Sequence, residues 1–150
     1  MRKQVCRVGE NDRGMDINGI ATIVYPARDL AAGITAWSAV TGSEPLFATP
    51  DYAAFRFAGS EIGLTRLPWV DFPLLMLDVA DIDAARASLL AAGCTPMAEI
   101  EGGGLAELGT APVTNGNPDT GIVDMNGARL AVVKVADGHV LGLRQAVAWG

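Results

Sequence analysis

The chain is poor in the residues that carry metal and redox chemistry. It has one histidine and two cysteines among 150 residues, too few for a disulfide framework or a zinc-ligand spacing. It has no basic surplus: the net charge is −6 and the isoelectric point about 4.6. That excludes a phosphate-tracking surface, and nucleic acid with it. No apolar run approaches the length of a bilayer span, so no membrane partner is expected. The opening MRKQVCRVGENDRGMD is charged and has no apolar h-region, which reads as a cytoplasmic protein without a secretory signal.

What is present is a repeat. Residues 20–42, IATIVYPARDLAAGITAWSAVTG, and residues 73–93, PLLMLDVADIDAARASLLAAG, share one frame: apolar strand, Asp-aliphatic, alanine-rich helix, glycine. Asp29 is placed to cap the first helix, Leu30, Ile34, Trp37 and Val40 recur at helical spacing, and Gly42 suits a left-handed end. In the second helix, over 82–92, Ile82, Ala85, Leu89 and Ala92 share a face. Strands are predicted over 19–25, 45–48, 52–58, 61–67, 74–79 and 95–101. A glycine triplet and a long loop follow, then a hairpin of 121–124 with 129–135 across Asn126-Gly127. GSEIGL at 59–64 matches GARLAV at 127–132, and the loop after the glycine triplet accounts for the longer spacing of this pair. The reading is two βαβββ units in one domain, 18–135, made of modules 18–67 and 73–135 with a linker at 68–72. Residues 1–17 read as a tail, as do 136–150, where Val140, Leu141 and Val147 suggest a short helix.

These stretches, with YAAFRFAGSEIGL and IVDMNGARLAVV, resemble the vicinal-oxygen-chelate superfamily of glyoxalases, bleomycin-resistance proteins and extradiol dioxygenases. The resemblance implies an α+β fold. Its two βαβββ modules form a curved mixed sheet around a concave cavity, with the helices on the convex side. It also implies a homodimer. Metal-dependent members place His, Glu or Gln seven residues before the Asp of each strand–helix turn and four residues after the glycine of each closing hairpin. Here those places hold Thr22, Leu74, Gly63 and Ala131. A divalent transition ion needs imidazole, thiolate or carboxylate donors, so neither a metal nor another cofactor is expected. The one histidine, His139, falls in the C-terminal tail.

Strand alternation turns Thr22, Val24, Arg56, Glu61, Leu74, Met76, Asp78, Arg129 and Ala131 toward the cavity. Ala21, Ile23, Tyr25, Phe55, Phe57, Ile62 and Leu64 then fall in the core. Small-molecule sites are built from apolar walls with few polar anchors. Trp69 and Phe72 lie in the linker near the cavity mouth, and Tyr52 lies near the same edge, where rings stack on planar ligands. The first functional reading is a metal-independent protein that sequesters an apolar or aromatic small molecule, as the resistance members of the superfamily do. The second is a metal-free isomerase, cyclase or lyase. It would use Glu61 or Asp78 as general base and Arg56 or Arg129 to stabilise an anionic oxygen. The third is an interaction module whose cavity is closed.

Overall fold

Ile, Val and Thr suit a pleated surface, and they supply β1 (Ile17–Pro26), the first element of a computed structural model that describes residues 16–148. Asp29 is still extended, and its carboxylate accepts from the Ala32 amide at 3.0 Å, which starts α1 (Leu30–Thr41). Gly42 ends it at φ 72°, a conformation that disfavours a Cβ. Strands β2 (Phe47–Ala48), β3 (Tyr52–Phe57) and β4 (Ser60–Thr65) complete the first module, and β5 (Leu74–Val79) opens the second. The Asp81 carboxylate accepts from the Asp83 and Ala84 amides to start α2 (Ile82–Ala91). After β6 (Thr95–Ile100) come a 3₁₀ turn at Glu101–Gly103 and the short strands β7 (Leu105–Glu107), β8 (Val113–Asn115) and β9 (Val123–Met125). Then follow β10 (Ala128–Lys134) and β11 (Val140–Ala146).

The sheet runs β2-β3-β4-β1-β5-β11-β10-β6-β7, with β8 joined to β6 and β9 to β10. β1 lies parallel to β4, β5 lies parallel to β11, and β1 meets β5 antiparallel at the centre. The registers of the two halves correspond. Ile23, Val24 and Tyr25 face Ile62, Gly63 and Leu64, just as Leu75, Met76 and Leu77 face Leu141, Gly142 and Leu143. The partner of GSEIGL at 59–64 is therefore GHVLGL at 138–143, not the expected 127–132. β10 corresponds to β3, and β7 to β9 are the inserted part.

Two expectations change with this. Residues 140–146, read as a tail with a short helix, are a strand in the interior of the sheet. Of the N-terminal tail, residues 1–15 with Cys6 lie outside the described residues, while Ile17 already belongs to β1. The predicted Asn126-Gly127 hairpin does form, as β9–β10.

Both helices cover the same side of the sheet. Leu30, Ile34 and Trp37 of α1 pack on Ile23, Tyr25, Ala53, Phe55, Ile62 and Leu64, and the Tyr25 and Trp37 ring centroids stand 4.9 Å apart. Phe57, expected in this core, is half exposed at the hairpin end. Under α2, Ile82, Ala85 and Leu89 pack on Val79, Ile122, Ala131 and Leu143. Among the described residues no helix covers the other side, here the open face.

Candidate functional site

The open face is assembled by alternation from both modules. Val24 of β1, Leu74 and Met76 of β5, Leu130 of β10 and Val140 of β11 form one apolar wall. β1 bulges within Ile20–Thr22, where two steps along it match one step along β5. The bulge turns Ala21 onto this wall rather than beneath α1.

The wall is not bare. Residues 66–73 between the modules cross it as a strap outside the sheet, and Val70, 4% exposed, is buried against Val24, Leu74 and Met76. Trp69 joins the same cluster and donates from Nε1 to Glu99 Oε2 at 2.7 Å. Beside the strap a cleft of about 300 Å³ remains, lined by Leu67, Pro68, Glu99, Ile100, Gly103 and Thr114 among others. Gly103, at φ 82°, lets the backbone close on Pro68, which a Cβ there would strike. This gives the glycine triplet a packing role.

One end of the face is polar. The Thr22 hydroxyl donates to the Glu61 carbonyl at 3.1 Å. Asp78 and Arg144 stand opposite each other on β5 and β11, 3.9 Å apart, with side chains 33% and 40% exposed. Tyr52 leans over Gly63, against the position a Cβ would take. Burial raises the Tyr52 phenol above its ordinary value and nearby Glu61 adds to this, while a hydrogen bond with Thr22 and the charge of Arg144 oppose it. Tyr52 is therefore a neutral hydrogen-bonding group at physiological pH. Thr22, Tyr52, Glu61, Asp78 and Arg144 gather two carboxylates, one guanidinium and two hydroxyls at this end, with Thr22 buried and the other four partly exposed.

The structure thus brings Thr22, Val24, Tyr52, Glu61, Leu74, Met76 and Asp78 to one face and sets Trp69 above it. Arg56 lies across from Glu61 on β3, exposed. Phe72 is 79% exposed. Arg129 and Ala131 lie on the opposite face. Ala131 is buried under α2, and Arg129 binds Asp83 at 2.9 Å and Asp124 at 2.8 Å. β10 pairs antiparallel with β11 so that Ala131 is level with Leu143, a core residue, and this phase inverts the predicted one. Arg144 is the guanidinium that sequence reasoning missed. The signal was available in the repeated Gly-x-x-aliphatic-Gly-Leu, which sets Arg144 over Thr65.

The correspondence of the halves also moves the last metal-ligand place. Four residues after Gly138 stands Gly142, so the places are Thr22, Gly63, Leu74 and Gly142. These residues do not fit a metal ion, since only a neutral hydroxyl is offered. The space where ligand side chains would project is taken: the Tyr52 phenol lies over Gly63 and the Met76 thioether over Gly142. His139 sits in the β10–β11 turn beside Asp137, exposed, not in a tail.

No protein-family model matches the chain, and no curated protein matches it. Solved structures do. The Mn(II)-bound glyoxalase of Novosphingobium aromaticivorans aligns at 20% identity and TM-score 0.57, over 91% of this chain and 41% of its own. Homoprotocatechuate 2,3-dioxygenase of Brevibacterium fuscum aligns at 16% and 0.59, over 91% and 39%. Methylmalonyl-CoA epimerase of Mycobacterium tuberculosis aligns at 15% and 0.58, over 87% and 89%. The chain spans about two fifths of the first two and most of the third. With its paired modules and single helix-covered side, the chain has the vicinal-oxygen-chelate fold shared by these glyoxalase, dioxygenase and epimerase structures.

Proposed function

We propose that the protein binds a small apolar or aromatic molecule on its open face without a metal ion, in the manner of a sequestering, resistance-type member of this fold. The observation that carries the reading is the replacement at the ligand places: Gly63 and Gly142 leave room that Tyr52 and Met76 fill. What surrounds them is an apolar wall with polar groups at one end, the composition of a ligand site. Among the described residues no helix is long and apolar enough to cross a membrane, and we place the binding activity in the cytoplasm.

A second reading is favoured by the polar cluster. Glu61 or Asp78 would act as general base, with Arg144, in place of Arg129, stabilising an anionic oxygen. Native mass spectrometry of protein isolated from its own host tests both readings. A retained organic molecule, with divalent metal well below one per chain and a melting temperature unmoved by chelator, is the expected result. Stoichiometric metal without an organic ligand would overturn the proposal. Glu61→Gln and Asp78→Asn separate the two readings: a sequestering protein keeps its affinity in both, whereas an enzyme keeps binding and stops turnover in one.

A further inference from the structure

The strap over residues 66–73 is held by little. Its backbone is tied at its beginning, where Arg66 donates to the Asp51 carbonyl at 3.0 Å and Leu67 to Thr65 Oγ1 at 3.1 Å. Within itself it has the turn from Val70 to the Leu67 carbonyl at 3.2 Å. It joins no strand of the sheet. Farther along, the Arg28–Asp71 pair, 3.4 Å apart, is exposed on both sides, where an ion pair contributes little. Beyond the contact of Pro68 with Gly103, the attachments are two side chains: Val70 pressed on Val24, Leu74 and Met76, and Trp69 latched to Glu99. On either side of these, Leu67 and Phe72 are exposed.

We infer that Val70 and Trp69 are a displaceable plug, standing where the ligand of the apolar wall stands. This rests on the reading of the open face as a small-molecule site and names the ligand class. An isopropyl group and an indole now cover the wall. What displaces them is a neutral, planar aromatic of about indole size bearing one N–H or O–H. That donor takes the Glu99 Oε2 that Trp69 vacates. The other carboxylate oxygen stays fixed by Asn115 Nδ2 at 2.7 Å, so the acceptor is already oriented. The plug also keeps the apolar wall from water when no ligand is present, consistent with local opening of a weakly attached segment rather than unfolding of the sheet.

Indole and 1-methylindole, which share a ring but differ in the donor, are the probes. The protein carries 5-fluorotryptophan and is observed by ¹⁹F NMR, with the Trp69 resonance identified by its loss in Trp69→Phe. Indole is expected to move that resonance saturably toward the solvent-exposed position. 1-Methylindole should do so about tenfold more weakly, the cost of losing a hydrogen bond to a charged acceptor. Val70→Ala, with a smaller plug, should bind indole several-fold more tightly. The wild-type shift does not depend on that variant folding. Saturable indole binding with the Trp69 resonance unmoved overturns the plug and leaves the small-molecule reading in place. No saturable effect of indole in either protein also overturns the plug, and the small-molecule reading then stands or falls on the organic molecule retained by protein from its host.

Discussion

At Gly63 and Gly142 a missing side chain makes room for a neighbour. Neither glycine is at positive φ, so space and not backbone freedom is the reason for each. A methyl group at Gly63 would strike the Tyr52 ring, which is stiff and hydrogen-bonded to Thr22, whereas at Gly142 it would strike the end of Met76, which can swing aside. Gly63→Ala should therefore cost about 1–3 kcal/mol and Gly142→Ala less, by urea denaturation. Adding Tyr52→Ala to Gly63→Ala should recover part of the loss, a coupling that a double-mutant cycle measures. Tyr52 also predicts a pH dependence. Its folded value lies above the unfolded 10.0, so its contribution is complete below that pH and is lost as pH rises through the folded value. Denaturation midpoints on either side of pH 10 should fall more in the wild type than in Tyr52→Phe.

Among the elements, the helices were the most legible in the sequence. Asp29 and Asp81 act within three residues of themselves, and local chemistry can be read without knowing the rest of the chain. The cap of α2 has a second part that cannot be read this way. The Ile82 amide, at the start of a fully buried residue, donates to Gln145 Oε1 of β11 at 2.8 Å. Gln145→Ala leaves that donor unpaired and should lower stability by about 1–3 kcal/mol, against about 1 kcal/mol for Asp81→Ala. Thermal melts of both variants check the order. Strand facing was legible in β4 and β5, where the phase is anchored by the neighbouring helix motif. It failed in β10. A strand's alternation has a period but no absolute phase, and only its partner β11 settles which residues go under α2.

For the whole molecule the last strand is decisive. β11 lies between β5 and β10 and supplies Leu143 to the core and Arg144 to the polar end. A chain ending at residue 136 would be complete on the sequence reading. It should instead fail to fold, losing both the cooperative melt and the dispersed amide spectrum, because β5 and β10 lose their shared neighbour. A cooperative melt from the truncated chain would contradict the strand order. Helix starts, the strands at 52–57 and 74–79, the β9–β10 turn and the duplication are all written locally in the amino acids, through capping, β-branching and turn preferences. Three things were decided only in three dimensions: which of the two sequence matches to 59–64, the one at 127–132 or the one at 138–143, closes the second module, which face Arg129 and Ala131 take, and that the linker lies across the apolar wall. Each depends on pairing or packing between residues far apart in the chain, and short-range preferences do not choose among such partners.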